Sequence, residues 1–204
     1  MKETARETTP YHHGDLRQTL IVFARQAIEQ DGLGKLSMRK LAALAGVSHN
    51  APYMHFKTKD ALLDAVAADG YQNLSASIAA AGGRAAFTPD DWRSRVILGL
   101  KAYVAFAQDN PALYALMNQP AFENDTHAAA VGQGTLDALA RTMQVGQQMG
   151  LVRQGDAGDH ALWVWSTLHG LAGVTSVNRK AFGTRSPQDV TSQVLVALLD
   201  GLAP

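Results

Sequence analysis

The sequence predicts an all-α chain, with an N-terminal three-helix helix-turn-helix head joined by a long connector helix to a C-terminal helical bundle. Three observations predict it. Apolar residues recur at helical rather than alternating spacing from Leu16 to Leu202, and glycine pairs and prolines punctuate the pattern at helix-length intervals. The stretch LAALAGVSHNAPYMHFKTKDALL, residues 41–63, reads as a short helix, a glycine corner, a second short helix and a basic helix start. The expected organisation is an N-terminal arm over 1–13, flexible without a partner, a head over 14–60 and a body over 61–204.

The first helix carries Leu16, Leu20, Phe23, Ala24, Ala27 and Ile28 at i, i+4, i+7, i+8, i+11 and i+12, and Gly32 and Gly34 end it. Ser37 can cap the next helix by accepting an orphan backbone N–H. Met38, Leu41, Ala42, Leu44 and Ala45 follow as its apolar positions, with Arg39, Lys40 and Ala43 facing out. Gly46 supplies the permissive backbone of a tight corner and Val47 plugs the angle. Ser48, His49 and Asn50 are alternative caps for the second short helix. Pro52 is harmless in a first turn but costs about 3 kcal/mol in a helix interior, so that helix must start between Ser48 and Asn50. Thr58 caps the long helix beyond it.

The outward side chains of such a segment are candidates for DNA contact. His49, Asn50, Ala51 and Tyr53 face base edges, His55, Lys57 and Lys59 lie near phosphates, and Phe56 is core. Helix, glycine corner, helix also occurs in proteins that never touch DNA, so the pattern by itself leaves both readings open.

The matching residues Ser37, Ala45-Gly46-Val47-Ser48, Tyr53, His55-Phe56-Lys57, Lys59 and Leu62-Leu63 resemble the DNA-binding head of the tetracycline-repressor-like (TetR) family of bacterial regulators. The resemblance implies base or phosphate contacts from Arg39, backbone or base contacts from Tyr53 and His55, and a phosphate grip from Lys59. Pro52 departs from the family's usual aliphatic residue, and Met54 stands where an aromatic or basic residue is common.

Composition bounds the reading. The 204-residue chain carries no cysteine, which removes disulfides and thiolate zinc sites and fits a cytoplasmic protein. Its N-terminus is polar throughout, unlike a signal peptide, and the longest apolar run, 161–174, falls short of the roughly 20 residues a membrane span needs. Net charge is zero, yet the first 60 residues hold nine Lys/Arg against six Asp/Glu and four of the seven histidines. That balance allows a local phosphate-binding face but not broad coating of DNA. His12 and His13 are adjacent and cannot share one helix face as a metal pair. The sequence contains no HExxH, P-loop or GxSxG motif, so neither an enzyme nor a cofactor is expected.

In the body, the connector carries Leu62, Val66, Tyr71, Leu74 and Ile78 and closes at Gly82-Gly83. A helix over 90–108 presents Trp92, Val96, Leu100 and Val104, with Tyr103 and Phe106 nearby, and Pro111 opens another. Gln119 to Asp125 reads as a loop, and Leu136, Leu139, Ala140 and Met143 mark a helix ending near Met149. NPALYALM and HALWVWSTLHGLAGV, the latter placing Trp165 and His169 one turn apart before Gly170, resemble the subgroup with a Trp/His/Gly C-terminal domain. Tyr11 to Arg17 and SHNAPY fit that subgroup too. Val190, Val194, Ala197, Leu198 and Leu202 form a last apolar stripe.

The resemblance implies a ligand-responsive regulator, most commonly a repressor, that works as a homodimer on a palindromic operator in double-stranded DNA and is released by a small lipophilic effector. Trp92, Tyr103, Phe106, Tyr114, Met117, Phe122, Met143, Trp165 and His169 are the candidate ligand residues. Each has a plainer reading as core, and His169 as a hydrogen-bonded core or interface residue. The rival to a regulator is a helical ligand-binding or interaction protein that has lost DNA binding.

Overall fold

A computed structural model of the protein describes residues 16–83, 85–119, 126–177 and 184–204. The expected arm over 1–13, Phe122 and most of the expected 119–125 loop lie outside the described residues. All regular structure in the described residues is helical, and the residues divide between Leu62 and Leu63 into two compact units.

The smaller unit contains α1 (Leu16–Asp31), a 3-10 turn over Leu33–Lys35, α2 (Met38–Leu44) and a second 3-10 turn over Ala51–Met54. On α1 the stripe Leu20, Ile21, Ala24, Ala27 and Ile28 is buried, whereas Phe23 is half-buried at its edge. Gly32 ends the helix at φ 83°, a left-handed conformation that glycine adopts without strain. Ser37 caps α2 as expected, its Oγ accepting from the Lys40 backbone N–H at 3.2 Å. Met38, Leu41 and Ala42 face the core. Leu44 does not: it stands 54% exposed, because α2 is only seven residues long and its last turn has reached the corner.

In the larger unit, α3 (Lys59–Gly82), α4 (Trp92–Asp109), α5 (Pro111–Met117), α6 (His127–Gln148), α7 (Ala157–Val177) and α8 (Pro187–Gly201) follow in order, the first residues of α3 belonging to the smaller unit. Thr58 Oγ1 accepts from the Ala61 N–H at 3.1 Å and opens α3. Helix α4 packs on α5, α7 and α8, and α7 packs on α6. The core gathers Trp92, Val96, Leu100 and Val104 from α4, Leu113 and Leu116 from α5, Met143 from α6, and Val164 and Leu168 from α7. Burying side chains of this size stabilises by about 1.5–3 kcal/mol each.

Helix α6 begins earlier than its apolar pattern, because its start is held by polar groups: Thr126 Oγ1 accepts from the Ala129 N–H at 3.1 Å and Asp64 Oδ1 from the Ala128 N–H at 2.9 Å. Gly146, farther along it, lets α6 approach Trp92 and Val152. A Cβ at Gly146 would stand 2.6 Å from Trp92 Cζ2 and 2.6 Å from Val152 Cγ2, and both neighbours are fully buried. Gly146→Ala is expected to lower unfolding free energy by about 1–3 kcal/mol through overpacking. A urea titration checks this, and an unchanged midpoint would refute the tight contact.

Candidate functional site

The first candidate surface lies at the corner after α2. Gly46 takes φ 66° with open space around it, so the backbone conformation rather than crowding calls for glycine there. The Val47 N–H then returns to the Ala42 carbonyl at 3.0 Å. The next segment is a single 3-10 turn beginning at Ala51, not an α-helix beginning between Ser48 and Asn50. The reason is local: an α-turn would send a residue-52 N–H to the Ser48 carbonyl, and proline has none, so the Ala51 N–H takes that carbonyl at 3.0 Å. Asn50 occupies the preceding position but its side chain caps nothing. Pro52 is buried, and its carbonyl accepts from both His55 at 3.1 Å and Phe56 at 2.9 Å. Phe56 is 3% exposed, core as expected.

With Pro52 and Phe56 turned in, their neighbours turn out. Tyr53 is 49% exposed and Met54 85%. Arg39, Ser48, His49, Asn50, His55 and Lys57 are exposed as well, and Ala51 is half-buried. Lys59 is partly buried, and its ammonium donates to the Leu33 carbonyl at 3.4 Å. The Arg17 guanidinium lies 5.2 Å from the Phe56 ring centroid, placing a further positive group beside this turn. Lys40 is ion-paired with Asp31 and holds that carboxyl below its ordinary range, mainly through the hydrogen bond between them.

A second candidate site is a cavity of about 260 Å³ in the larger unit, with a more open recess of about 340 Å³ beside it. Of the expected ligand residues, Tyr103, Tyr114, Met117 and Trp165 line the inner cavity, and Met117, Trp165 and His169 line the recess. Trp92, Phe106 and Met143 line neither: they are buried, with Trp92 Nε1 donating to the Thr142 carbonyl at 3.2 Å. Polar groups missed in the sequence are on the wall too, among them Tyr71, Ser75, Arg95, Asn118 and Thr135. Both Tyr71 and Ser75 sit on the connector, where the helical pattern marks Tyr71 only as part of an apolar face and passes over Ser75.

The cavity's polar side chains form a chain. Tyr103 and Tyr114 hydroxyls lie 2.9 Å apart with their rings edge to face, and the Tyr114 hydroxyl lies 2.8 Å from His169 Nδ1. The Trp165 and His169 rings stack at 5.3 Å. Tyr71 donates to the Met117 carbonyl at 3.0 Å. Burial pushes all three phenols above their ordinary value, Tyr103 furthest, with the neighbouring Tyr114 adding to the shift. They are neutral hydrogen-bonding groups, not phenolates.

Residues 98–202 match the family model described as tetracyclin repressor-like, C-terminal domain, and residues 20–66 match the model of bacterial regulatory proteins of the tetR family. The chain belongs to the TetR family. The tetracycline repressor protein class A from transposon 1721 of Escherichia coli is 29% identical over 199 residues, covering 91% of this chain and 89% of that protein. A solved structure from Rhodococcus sp. RHA1, a protein with unknown function, is 32% identical with a TM-score of 0.80 and covers 97% of this chain and 100% of its own. A TetR-family transcriptional regulator from Pectobacterium atrosepticum shares the fold at 21% identity, with a TM-score of 0.69, over 92% of this chain and 93% of its own. The 3-10 turn therefore belongs to a TetR-family DNA-binding domain, and family and fold are those of regulators rather than enzymes. TetR-family regulators bind DNA and typically act as dimers.

The buried phenols carry a pH dependence. The unfolded chain ionises its tyrosines near pH 10, whereas the folded chain keeps Tyr71, Tyr103 and Tyr114 protonated to higher pH. Their contribution is complete below about pH 10 and falls as pH rises beyond it. Alkaline titration followed by circular dichroism is expected to show unfolding in that range, with a shallower loss of stability in Tyr103→Phe. Phenolate absorbance from Tyr103 appearing before unfolding would contradict the assignment.

Proposed function

We propose that this TetR-family chain is a ligand-responsive transcriptional regulator acting in the cytoplasm, a repressor that leaves a palindromic operator when a small lipophilic effector enters the body. The observation that carries the reading is the position of the cavity along α3. That helix starts at Lys59 beside the reading turn and supplies Tyr71, Leu74, Ser75, Ile78 and Ala79 to the cavity wall. A ligand filling the cavity presses on the same helix that leaves the DNA-binding head.

In this mechanism, Tyr53, His49, Asn50 and Ala51 meet base edges, with Arg39 and Ser48 beside them, while His55, Lys57 and Lys59 hold phosphates. One 3-10 turn reaches too few bases to select a site, and two heads about 34 Å apart read successive major grooves. The homodimer forms through α7 and α8, whose exposed Leu162, Trp163, Val174 and Val196 support a second apolar contact surface. Tyr103, Tyr114, Met117, Trp165 and His169 receive the effector. It acts because it binds one arrangement of the body better than the other, so its binding and DNA binding oppose each other by the same coupling free energy.

Gel shifts against the upstream region of its own gene test the reading. One palindromic segment is expected to bind far more tightly than random duplex, and equal binding to both, or none, would favour a ligand carrier without operator recognition. Tyr53→Ala is expected to weaken operator binding by about tenfold with the melting temperature unchanged. Lys59→Ala is expected to weaken all duplexes alike and flatten the salt dependence by about one unit. If both variants bound like the parent, the reading face would be misassigned.

A further inference from the structure

We propose that the effector is an uncharged molecule with an apolar body and one hydrogen-bond-accepting oxygen, a ketone, ester or ether, received at the His169 end of the cavity. This rests on the effector reading above and adds the chemical class.

The argument follows the hydrogens. Among the described residues lining the two chambers, Arg95 is the one with a permanent charge. Its guanidinium has five N–H donors, and the protein takes all of them. Nε donates to the Gly82 carbonyl at 2.6 Å, Nη1 to the Ala86 carbonyl at 3.0 Å and to Asp91 Oδ2 at 3.3 Å, and Nη2 to the Gly83 and Ala85 carbonyls at 3.3 and 2.6 Å. A carboxylate in the cavity would find a cation with no donor left to offer it, and a cationic ligand would find no carboxylate among the described lining residues.

The hydroxyls are committed as well. Thr135 donates to the Val131 carbonyl at 3.3 Å, so the 3.0 Å contact with Ser75 is Ser75 donating to Thr135. Thr142 donates to the Ala138 carbonyl at 3.0 Å and Tyr71 to the Met117 carbonyl at 3.0 Å. Among the described residues the buried Tyr103 hydroxyl has one hydrogen-bond partner, the Tyr114 hydroxyl, so its hydrogen goes there. Tyr103 then donates to Tyr114 and Tyr114 to His169 Nδ1. The relay runs in one direction and fixes the histidine tautomer with its hydrogen on Nε2, on the ring edge opposite Tyr114. His169 lines the recess, together with Asn118, whose amide uses one N–H on the Tyr114 carbonyl at 2.7 Å and keeps the other. The inner chamber thus offers mostly apolar wall and engaged hydroxyls, and the free donors of His169 and Asn118 lie on the recess side, Asn118 lining both chambers.

Isothermal calorimetry on the full chain at neutral pH, with 2-octanone, octanoate and octylammonium as probes of matched length, tests the class. The ketone is expected to bind at least about tenfold more tightly than either ion. His169→Phe, which keeps a ring to stack on Trp165, is expected to weaken the ketone roughly three- to tenfold and to leave the ions unchanged. Octanoate or octylammonium binding as tightly as the ketone overturns the class while leaving the effector cavity standing, and no binding by any probe overturns both. A ketone affinity unchanged in His169→Phe overturns the donor assignment. Should that variant melt early, the comparison of probes on the unaltered chain decides, with Tyr114→Phe, which removes the hydroxyl at His169 Nδ1, as the second interruption of the relay.

Discussion

Closing the carboxyl end of α3 is the constraint on which the larger unit depends. A helix leaves its last carbonyls without partners, and here the chain turns away at Gly82 and Gly83 before those groups can be satisfied locally. Arg95 on α4 answers the Gly82 carbonyl, and those of Gly83, Ala85 and Ala86 beyond it, with a planar fork of donors, stacked at 4.4 Å on Phe87, and so joins the connector to the helix that buries Trp92, Val96, Leu100 and Val104. Arg95 is itself steadied by Asp91, whose carboxyl is held below its usual range chiefly by the Thr88 backbone N–H at 2.8 Å. The same arrangement sets the character of the cavity. Because Arg95 closes one end with every donor engaged, the wall gains a side chain of high charge without gaining a site for an anion.

A comparable local constraint shapes the candidate DNA-contact surface. Proline at position 52 withholds the hydrogen that an α-turn needs, and the segment shortens to a 3-10 turn whose inward residues are Pro52 and Phe56. Two buried anchors four residues apart leave the residues between them facing solvent, which is why Tyr53 and Met54 protrude. Proline at this position thus sets the helix type without turning the tyrosine inward. Met54 is the more exposed of the two, a large apolar side chain that the head itself does not cover.

What could be read in the sequence was whatever a short stretch of chain decides. Ser37 and Thr58 act as caps, Gly32 and Gly46 adopt positive φ, and the stripe of α1 is buried, because each depends on neighbours within about one or two turns. The cavity depends on residues far apart in sequence, and there periodicity misled. Trp92 and Met143 look like pocket residues by size, but Gly146 draws α6 against Trp92 and closes any space between them. Leu136 and Leu139, marked as an ordinary apolar stripe, stay half-buried because they face the cavity. Ser75 and Thr135 carried no signal, since a hydroxyl in a helix ordinarily bonds its own turn and gives no sign of a partner 60 residues away.

The last helix adds a geometric argument. Of its expected stripe, Val190, Val194, Ala197, Leu198 and Leu202, the first four are not packed inside the chain; Leu202 is buried, together with Thr191, Leu195 and Leu199, one step further round. The first set is half-buried or exposed, so α8 has a second apolar face beyond the one its own core uses. Its neighbour α7 repeats the arrangement, burying Ala161, Val164 and Leu168 while Leu162, Trp163 and Val174 remain outside. A chain that needed α7 and α8 only for its own core would gain nothing from a second apolar face on each, and would carry an aggregation hazard. Two adjacent helices with that excess suit the four-helix contact of the proposed two-fold dimer, in which the same patch on each copy is used and one substitution acts twice.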